Sequence, residues 1–415
     1  MGKSDLIVGL DIGTTKICAV VGEMTDEGMV EIVGIGGSIS TGLRKGVVVN
    51  IEQTVQSVRK ALEDAELMAG CEIHAVYVGI AGSHIMSMNS HGVIAVKGGE
   101  VDQSDIERAL DAARAVPIAT DREVIHTLPQ EFVVDEQRGI IDPLGMVGVR
   151  LEVAVHIVTA AISSAQNIIR TCQKAGLEVA DISLEALASA KAVLTSEERE
   201  IGVALVDIGG GTTDIAVFVN GAIKHTCVLP LGGQNLTNDI AFGLRTSVKA
   251  AENIKLKYGC ALADMVEVDE TIEVISVGGR EPSRLSRRML ADICEPRMEE
   301  ILYLVDQSLI RAGFKEMLGA GVVLTGGTAL IEGCQELAEQ IFNVPTRIGY
   351  PRNVGGLKDV VNSPKFATAV GLLRYGAEKE MGGQSGGSSK AVSSKDSNMF
   401  HDVIARMKRW FSEVS

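Results

Sequence analysis

Two turns of nearly the same composition occur in this chain, one near the N-terminus and one near the middle. The first is Asp11-Ile12-Gly13-Thr14-Thr15-Lys16, and the second is Asp207-Ile208-Gly209-Gly210-Gly211-Thr212-Thr213-Asp214. Each turn lies between two apolar runs, which is typical of a β-hairpin. Glycine lets backbone N–H groups approach a phosphate closely, and the Thr hydroxyls and Lys16 add donors and charge. Two such hairpins facing each other therefore predict a cage for the phosphates of a nucleotide.

The surroundings of the two turns repeat as well. Apolar runs within 6–36 predict three antiparallel strands, followed by a helix over about 51–69 capped by Asn50 and a strand at Val76–Ala81. The second half repeats this order, with strands predicted at 201–207, 213–219 and 223–229 and a helix at about 235–244. A repeat on this scale predicts two homologous lobes of β-β-β-α design.

Two stretches do not follow the repeat. Residues 84–162 predict an inserted subdomain with two helices and at least two strands, the clearest strand at 151–162. A second insertion is predicted at about 245–318. After it, Gly321–Ala329 reads as an apolar strand and a Gly-Gly turn, with a helix predicted onward through Phe342. Because a helix N-terminus with flexible backbone suits phosphate, we expect this third glycine-rich element to hold the ribose and α-phosphate.

Composition excludes several classes of function. The 415 residues carry a net charge of −15, which argues against nucleic acid as a partner because that needs a basic surface. The seven Cys are scattered singly without a C-x-x-C pair, which argues against zinc and thioredoxin-like chemistry and predicts reduced thiols in a cytosolic protein. The sequence shows no signal peptide and no apolar run long enough to span a membrane.

The three glycine-rich elements, in this order and spacing, resemble the actin, chaperone and sugar-kinase ATPase superfamily. The resemblance implies an actin-like α/β fold, with two ribonuclease-H-like lobes flanking a cleft that binds ATP and Mg²⁺. It also implies that Asp11 and Asp207 are the metal-associated carboxylates. The residues that the motifs and the resemblance assign to the nucleotide are Gly13, Thr14, Thr15, Lys16, Gly209, Gly210, Gly211, Thr212, Thr213, Asp214, Gly326, Gly327 and Thr328.

Two further assignments come from the same resemblance. Ala251-Glu252-Asn253-Ile254-Lys255 is similar to a stretch of bacterial actins in which Glu and Lys reach the ribose and base. The alternative is that Glu252 and Lys255 lie on a solvated helix face. Leu184–Ala190 resembles the helix that connects the lobes, and Glu185 on it matches the residue that positions the hydrolytic water. The alternative is a solvent-facing Glu, so the chain is at most a weak ATPase.

The end of the chain predicts a detachable membrane helix. Residues 377–398 are rich in Gly and Ser, which predicts a flexible linker, and 399–415 show helical periodicity with one apolar stripe. The only Trp of the chain lies in this stripe, and the segment is slightly basic, which favours a helix on an anionic membrane surface over one docked on the fold. The residues predicted to contact the membrane are Phe400, Val403, Ile404, Arg406, Met407, Lys408, Arg409, Trp410 and Phe411.

Lobes, insertion, linker and tail together resemble a family of actin-like bacterial cell division proteins. Gly42–Gly46, Leu128–Phe132 and Ser276–Arg280 are further stretches that resemble it. The resemblance divides the chain into subdomains. These are 1A (1–83 and 163–195), 1C (84–162), 2A (196–244 and 319–376) and 2B (245–318), followed by the linker (377–398) and the amphipathic helix (399–415).

The same resemblance implies the partners and the location. Members of the family self-assemble into filaments with ATP bound. They tether the tubulin-like FtsZ to the cytoplasmic face of the inner membrane at the division site, and recruit later division proteins. The FtsZ C-terminal peptide docks on 2B, where a basic cluster suits an acidic peptide unless these arginines form only a solvated face. This cluster comprises Arg280, Arg284, Arg287, Arg288 and Arg297. The alternatives are a pilus-assembly adaptor, a sugar or acetate kinase, and a chaperone ATPase.

Overall fold

The first lobe begins with three antiparallel strands joined by short turns. The computed structural model describes residues 6–25, 28–275 and 282–384. The first elements are β1 (Leu6–Ile12), β2 (Lys16–Met24), β3 (Val30–Ile39), β4 (Leu43–Arg44), β5 (Val47–Val48), α1 (Ile51–Ala69) and β6 (Ala75–Ile80). The predicted strands and helix are confirmed. The Asn50 side chain accepts a hydrogen bond from the Gln53 N–H, which satisfies one of the free donors at the start of α1.

The stretch after β6 forms a separate four-stranded antiparallel sheet with one helix. Its elements are β7 (Met86–Ala95), α2 (Gln103–Arg114), β8 (Arg122–Val134), β9 (Gln137–Ile140) and β10 (Arg150–Ala161). The strand order is β7-β10-β8-β9, and its inner face has its own apolar core. The prediction of two helices in 84–162 is wrong, because the long β8 pairs with β10 along its length and includes Pro129, which a helix interior does not tolerate.

The chain then returns to the first lobe. The next elements are α3 (Ile162–Ala175), β11 (Glu178–Leu184), α4 (Glu185–Val193) and α5 (Ser196–Ile201). Strand β11 pairs in parallel with β6 at one edge of a six-stranded sheet. The strand order of this sheet is β11-β6-β1-β2-β3-β19, in which β19 is Gly355–Gly356. Helix α4 begins where β11 ends, as the sequence predicts. Glu185 therefore lies at the carboxyl end of the parallel strands, an edge where ligands bind in open α/β sheets.

The second lobe repeats the topology of the first. It begins with β12 (Val203–Ile208), β13 (Thr213–Val219), β14 (Ala222–Leu229) and α6 (Gly233–Gly243). Its sheet has the order β14-β13-β12-β17-β18, in which β17 is Val322–Thr325 and β18 is Thr346–Ile348. The antiparallel hairpin is thus followed by a parallel strand, as in β2-β1-β6. Asp11 lies opposite Cys18 in the first hairpin and Asp207 lies opposite Asp214 in the second, which confirms the predicted repeat.

A helical insertion extends the second lobe. It consists of α7 (Val248–Tyr258), β15 (Thr271–Val274), β16 (Ser283–Ser286) and α8 (Arg287–Arg311). Buried residues of α7 and α8 belong to the same apolar core as the sheet of the second lobe. This insertion therefore packs on its lobe without a separate core of comparable size, and the subdomain boundaries given above stay a prediction.

The last elements complete both sheets. They are β17 (Val322–Thr325), α9 (Cys334–Phe342), β18 (Thr346–Ile348), β19 (Gly355–Gly356), α10 (Lys358–Val361) and α11 (Ala367–Gln384). The helix predicted to run from the Gly-Gly turn through Phe342 is in two pieces, a 3₁₀ helix at Gly327–Leu330 and then α9. Gly333 separates them because its φ of 76° is left-handed, which no continuous helix allows.

Helix α11 crosses back to the first lobe and corrects the predicted start of the linker. Its residues pack against α4 and β1, and it continues to Gln384, so the linker does not begin at 377. Ala377 is buried, and Glu378 forms an ion pair with Lys191 of α4, so this turn of α11 contacts the first lobe. The remaining linker residues 385–398 and the predicted membrane helix 399–415 lie outside the described residues. Within the described ranges, no helix combines the length and apolarity needed to cross a bilayer.

Candidate functional site

The two glycine turns face each other across the lobes and are in contact. Each turn closes on itself, since the Gly13 N–H donates to the Lys16 carbonyl (3.1 Å) and the Gly209 N–H donates to the Thr212 carbonyl (2.9 Å). A Cβ atom on Gly210 would lie 2.4 Å from Thr15 Cγ2, and one on Gly211 would lie 2.4 Å from Thr14 Oγ1. Only glycine therefore lets the second turn approach the threonines of the first.

The third glycine-rich element packs against the second turn. Gly326 has a φ of 86°, and a Cβ atom there would lie 2.4 Å from Asp207 Oδ1. The Thr328 hydroxyl donates a hydrogen bond of 2.9 Å to the Gly209 carbonyl. The structure thus brings together the three elements that are far apart in sequence, as predicted.

A fourth glycine-rich element, Gly232-Gly233 at the start of α6, also belongs to the site, and it was not predicted from the sequence. The Gly233 N–H donates to the Gly209 carbonyl (2.9 Å), and the Gln234 N–H donates to the Gly210 carbonyl (2.7 Å). A Cβ atom on Gly232 would lie 2.6 Å from Gly209 O. The signal was a Gly-Gly pair directly before a helix, the same pattern as in the third element. This pair holds the second turn in place from behind.

Glu252 and Lys255 lie beside that helix start. Lys255 is 6 % exposed, and its Nζ donates to Glu252 Oε2 (2.8 Å), Thr237 Oγ1 (2.9 Å) and the Gly233 carbonyl (3.2 Å). The alternative of a solvated helix face is therefore wrong for Lys255. Both residues are held against α6 on the side of the cleft that Thr328 lines, and their contact with ribose and base stays a prediction.

Four carboxyl groups share the floor of the cleft. Burial raises the pKa of Asp11 to about 6 and that of Asp214 to about 8, and the charge of Asp207 adds to both shifts. Burial also raises the pKa of Asp207. The pKa of Glu185 is raised well above the ordinary range, first by burial and next by the negative charge of Asp11. The cleft is therefore a place where negative charge is crowded and a cation would be stabilised.

Hydrogen bonds orient one of these carboxylates. The Ser189 hydroxyl of α4 donates to Asp207 Oδ2 (2.6 Å), and the Thr368 hydroxyl of α11 donates to the same atom (3.2 Å). These bonds join the second lobe to two helices of the first lobe. Neither Ser189 nor Thr368 has a sequence signal, because both depend on how the two helices cross.

The donor set fits a magnesium ion held together with phosphate. Asp214 Oδ1 is buried and has no hydrogen-bond partner among the described residues, and it belongs to the crowded carboxyl group just described. In the same ranges, no group of three or more His, Cys, Asp or Glu side chains is arranged to hold a metal ion by itself. Mg²⁺ is commonly bound by one or two carboxylates plus phosphates and water, so the assignment of Asp11 and Asp207 to Mg²⁺ stays a prediction.

Lys16 and Glu185 are held at the lobe-one side of the cleft. Lys16 Nζ donates to the Lys365 carbonyl (2.6 Å) and lies 4.3 Å from the centre of the Phe366 ring. The positive charge of Lys16 acts to lower the pKa of Asp11, which means that the two side chains are close enough to interact. Glu185 packs against Gly79 of β6, where a Cβ atom would lie 2.8 Å from Glu185 Cγ. The structure places Glu185 among the cleft carboxylates, while its role toward water stays a prediction.

The crowded carboxyl groups predict a pH-dependent stability of the nucleotide-free protein. The unfolded chain releases the Asp214 proton near the ordinary value of 3.8, whereas the folded protein keeps it up to about pH 8. The folded state thus binds more protons in this interval, so stability is lost as the pH rises through it. Asp214→Asn removes this contribution, and one pKa unit corresponds to about 1.4 kcal/mol, so we expect the variant to be a few kcal/mol more stable near pH 8.

Urea unfolding at several pH values measures this difference. The difference in the free energy of unfolding between Asp214→Asn and the unsubstituted protein should become smaller as the pH falls toward the ordinary pKa range of a carboxyl group. Asp64→Asn, on the exposed face of α1, is the matched control and should leave the pH dependence unchanged. A difference in the free energy of unfolding that is the same at every pH would contradict a raised pKa of Asp214 in the folded protein.

The basic cluster predicted in the second insertion is mostly neutralised within the chain. Arg287 pairs with Glu270 and Glu332, Arg288 pairs with Asp264, and Arg297 pairs with Asp239 and Glu300. Arg284 is exposed and makes no ion pair within the described ranges, and Arg280 lies outside them. The predicted basic cluster is therefore compensated at these three arginines, because acidic residues face them in the fold, all but Glu300 from outside α8. The docking of an acidic peptide in this region stays a prediction.

Sequence comparisons match this chain along nearly its whole length. The family described as "Cell division protein FtsA" matches residues 204–371, and the "SHS2 domain inserted in FTSA" matches 82–159, which is the stretch of the four-stranded sheet. A cell division protein FtsA of Pseudomonas aeruginosa is 55% identical over 405 residues, covering 98% of this chain and 97% of the relative. That of Escherichia coli K12 is 42% identical over 412 residues, covering 98% and 97%.

Solved structures share the fold at low sequence identity. A PilM-PilN type IV pilus biogenesis complex matches with a TM-score of 0.64 at 18% identity, covering 89% of this chain and 98% of that one. MreB5 of Spiroplasma citri bound to ADP matches with a TM-score of 0.56 at 16% identity, covering 92% and 99%. With the duplicated lobes described above, these matches confirm the predicted actin-like α/β fold.

Proposed function

We propose a function for this chain, which belongs to the FtsA family of cell division proteins. It is an ATP-dependent adaptor that assembles on the cytoplasmic membrane and attaches FtsZ polymers to it. Its function in cell division follows from relatives that match nearly the whole chain. Because those relatives are cell division proteins, the pilus-assembly adaptor and the sugar or acetate kinase are not favoured.

The observation that carries the proposal is the contact between the two glycine turns. Gly210 and Gly211 approach Thr15 and Thr14 so closely that the lobes meet at this point. A triphosphate held along both turns would accept hydrogen bonds from the backbone of both lobes and would hold the lobes in this closed arrangement. Gly326, Gly327 and Thr328 would hold the nucleoside side, with Glu252 and Lys255 toward ribose and base. The fold neighbour MreB5 is described as bound to ADP, which supports nucleotide binding by a chain of this fold.

Mg²⁺ would complete the site, with Asp11 and Asp207 as the residues that hold it. It would neutralise charge on the phosphates and on the cleft carboxylates. Glu185 lies among these carboxylates and would orient a water molecule toward the γ-phosphate once the cation lowers its pKa. Hydrolysis at such a site would be slow, and ATP would act chiefly as the ligand that closes the lobes. Closed subunits would then present the surfaces that assemble into a filament.

Membrane attachment would come from the segment that follows α11. That helix ends on the first lobe at Gln384, and residues 385–398 would connect it to the amphipathic segment 399–415. A Gly/Ser-rich linker of this length reaches about 20 Å on average, enough to let one face of a filament sit near the bilayer. A single amphipathic helix binds weakly, so several tails on one filament would be needed for stable attachment.

The attachment of FtsZ would use the second insertion, subdomain 2B. Because Arg287, Arg288 and Arg297 already have acidic partners, Arg284 on β16 is the member of the predicted basic cluster that, within the described ranges, is free to meet an acidic peptide. An acidic segment would otherwise have to compete with the partners of the other three. Arg284 is thus the position at which a charge reversal should affect FtsZ most selectively.

A reconstitution with anionic phospholipid vesicles tests the proposal. FtsZ is expected to sediment with the vesicles when this chain and ATP are both present, and to remain in the supernatant when either is omitted. Arg284→Glu should reduce FtsZ recovery roughly tenfold without changing the sedimentation of this chain. Lys249→Glu, an equally exposed charge reversal on α7, is the matched control. Recovery of FtsZ without ATP would contradict the switch, and equal recovery with both variants would contradict the docking site.

A further inference from the structure

A second cavity lies behind the nucleotide cleft, where lobe one, the inserted sheet and lobe two meet. Its volume is about 430 Å³, within the range of small-molecule sites. Helices α4, α5 and α11, strands β8 and β11 and the β13–β14 hairpin form its walls. Helix α4 begins at Glu185 in the nucleotide cleft, and its later residues Leu187 and Lys191 line this cavity.

Three side chains bring hydrogen-bond donors to the cavity wall. The hydroxyl of Ser183 is buried and has no partner among the described residues, and the same holds for Nε of Arg199. His126 accepts the Leu184 N–H at Nε2 (3.0 Å), which leaves the ring proton on Nδ1. A buried donor without an acceptor costs free energy. A ligand with acceptor oxygens would remove this cost at more than one position.

The charges of the cavity are also unbalanced. Lys191 pairs with Glu378, and Lys379 pairs with Asp181, whose carboxylate lies 3.1 Å from its Nζ. In contrast, Arg199 has no carboxylate within ion-pair distance in the described part of the chain. Its guanidinium donates to the Ala190 carbonyl (2.8 Å) and lies 5.0 Å from the centre of the Phe218 ring. Glu198 and Glu378 act on Arg199 from farther away, but each is already paired with another cation, Arg347 and Lys191 respectively. The guanidinium therefore has no direct ion pair of its own among the described residues, and an anion would supply one.

The remaining wall is apolar. Leu128, Pro129, Leu187, Phe218, Ile223 and Tyr375 line the cavity beside the donors. We propose that this cavity binds a small organic anion, with a carboxylate or phosphate held by Arg199, Ser183 and His126 and an apolar body packed against these side chains. The site is separate from the nucleotide cleft and goes beyond the proposed adaptor function.

Fluorine NMR of the full-length protein with para-fluorobenzoate tests the proposal. The probe combines an apolar ring with a carboxylate, and para-fluorobenzamide has the same shape without the charge. We expect the benzoate to bind and the benzamide to bind at least roughly tenfold more weakly, since hydrogen bonds to charged groups are the stronger ones. Binding of the benzoate should persist in saturating ATP. Displacement by ATP would place the probe in the nucleotide cleft and would overturn the proposal.

Two variants and a control locate the probe. Arg199→Gln should weaken binding roughly tenfold or more, and Ser183→Ala should weaken it while leaving the melting temperature unchanged or higher, because it removes an unpaired hydroxyl. Arg170→Gln on the exposed face of α3 is the matched control and should bind as the unsubstituted protein does. Absence of benzoate binding, or equal binding to all three variants, would overturn the proposal. If Arg199→Gln does not fold, Ser183→Ala alone decides the outcome.

Discussion

Gly210→Asp is expected to abolish ATP binding in any practical assay, with the affinity falling roughly a hundredfold or more. Even a Cβ atom at this position would lie 2.4 Å from Thr15 Cγ2 and 2.5 Å from Thr15 Oγ1, so the two turns would have to separate. The new carboxylate would also face Asp11, Asp207 and Asp214, where negative charge is already crowded. Both effects act against a bound triphosphate.

Titration with a fluorescent ATP analogue in the presence of Mg²⁺ measures this loss. Asn220→Asp is the matched control, because it adds the same charge to the exposed hairpin turn at the opposite end of β13. The control should bind ATP normally, and both variants should show cooperative thermal unfolding. Normal ATP affinity in a folded Gly210→Asp protein would show that phosphates do not lie between the turns.

Trp410→Glu is expected to remove most of the binding of this chain to anionic vesicles. The sequence places Trp410 in the apolar stripe of the tail, so the substitution loses the burial of a large side chain, about 1.5–3 kcal/mol. It also adds a negative charge at an anionic surface, at about 1 kcal/mol. The sum corresponds to roughly a hundredfold for one tail, and the loss grows when several tails bind together.

Vesicle flotation with the full chain measures this effect. Ser412→Glu is the matched control, since it adds the same charge two residues away on the polar side of the predicted helix. We expect the control to float nearly as well as the unsubstituted protein, and deletion of 399–415 to stay at the bottom of the gradient with Trp410→Glu. Equal flotation of Trp410→Glu and Ser412→Glu would contradict a membrane-bound apolar stripe.

Local patterns were sufficient for most of the fold that surrounds the nucleotide cleft. The apolar runs on either side of Asp11 and Asp207 predicted the hairpins, because strand pairing across a short turn depends on neighbouring residues. The same holds for α1 after Asn50 and for Glu185 at the start of α4. The repeat of these elements then predicted the two lobes without knowledge of any contact between them.

Contacts between distant residues were the source of two of the errors. The arginines of the second insertion read as a free basic cluster until Glu270, Glu332 and Asp264 from other elements were found beside them. The Gly/Ser composition after Tyr375 suggested a linker, yet the first turns of that stretch belong to α11, where Ala377 is buried and Glu378 pairs with Lys191 on another helix. Sequence patterns do not report such pairs, since the partners are far apart along the chain.

The sequence by itself determined most of the secondary structure around the cleft, the duplication and the two turns that would grip phosphate. These features depend on glycine backbone freedom and on apolar periodicity, both of which act over a few neighbouring residues. Only the tertiary structure decided that Gly210 meets Thr15, that four carboxyl groups crowd one cleft, and that Ser183 and Arg199 line a second cavity. The reason is physical: these properties belong to side chains from different elements, whose distances are set by how the lobes pack.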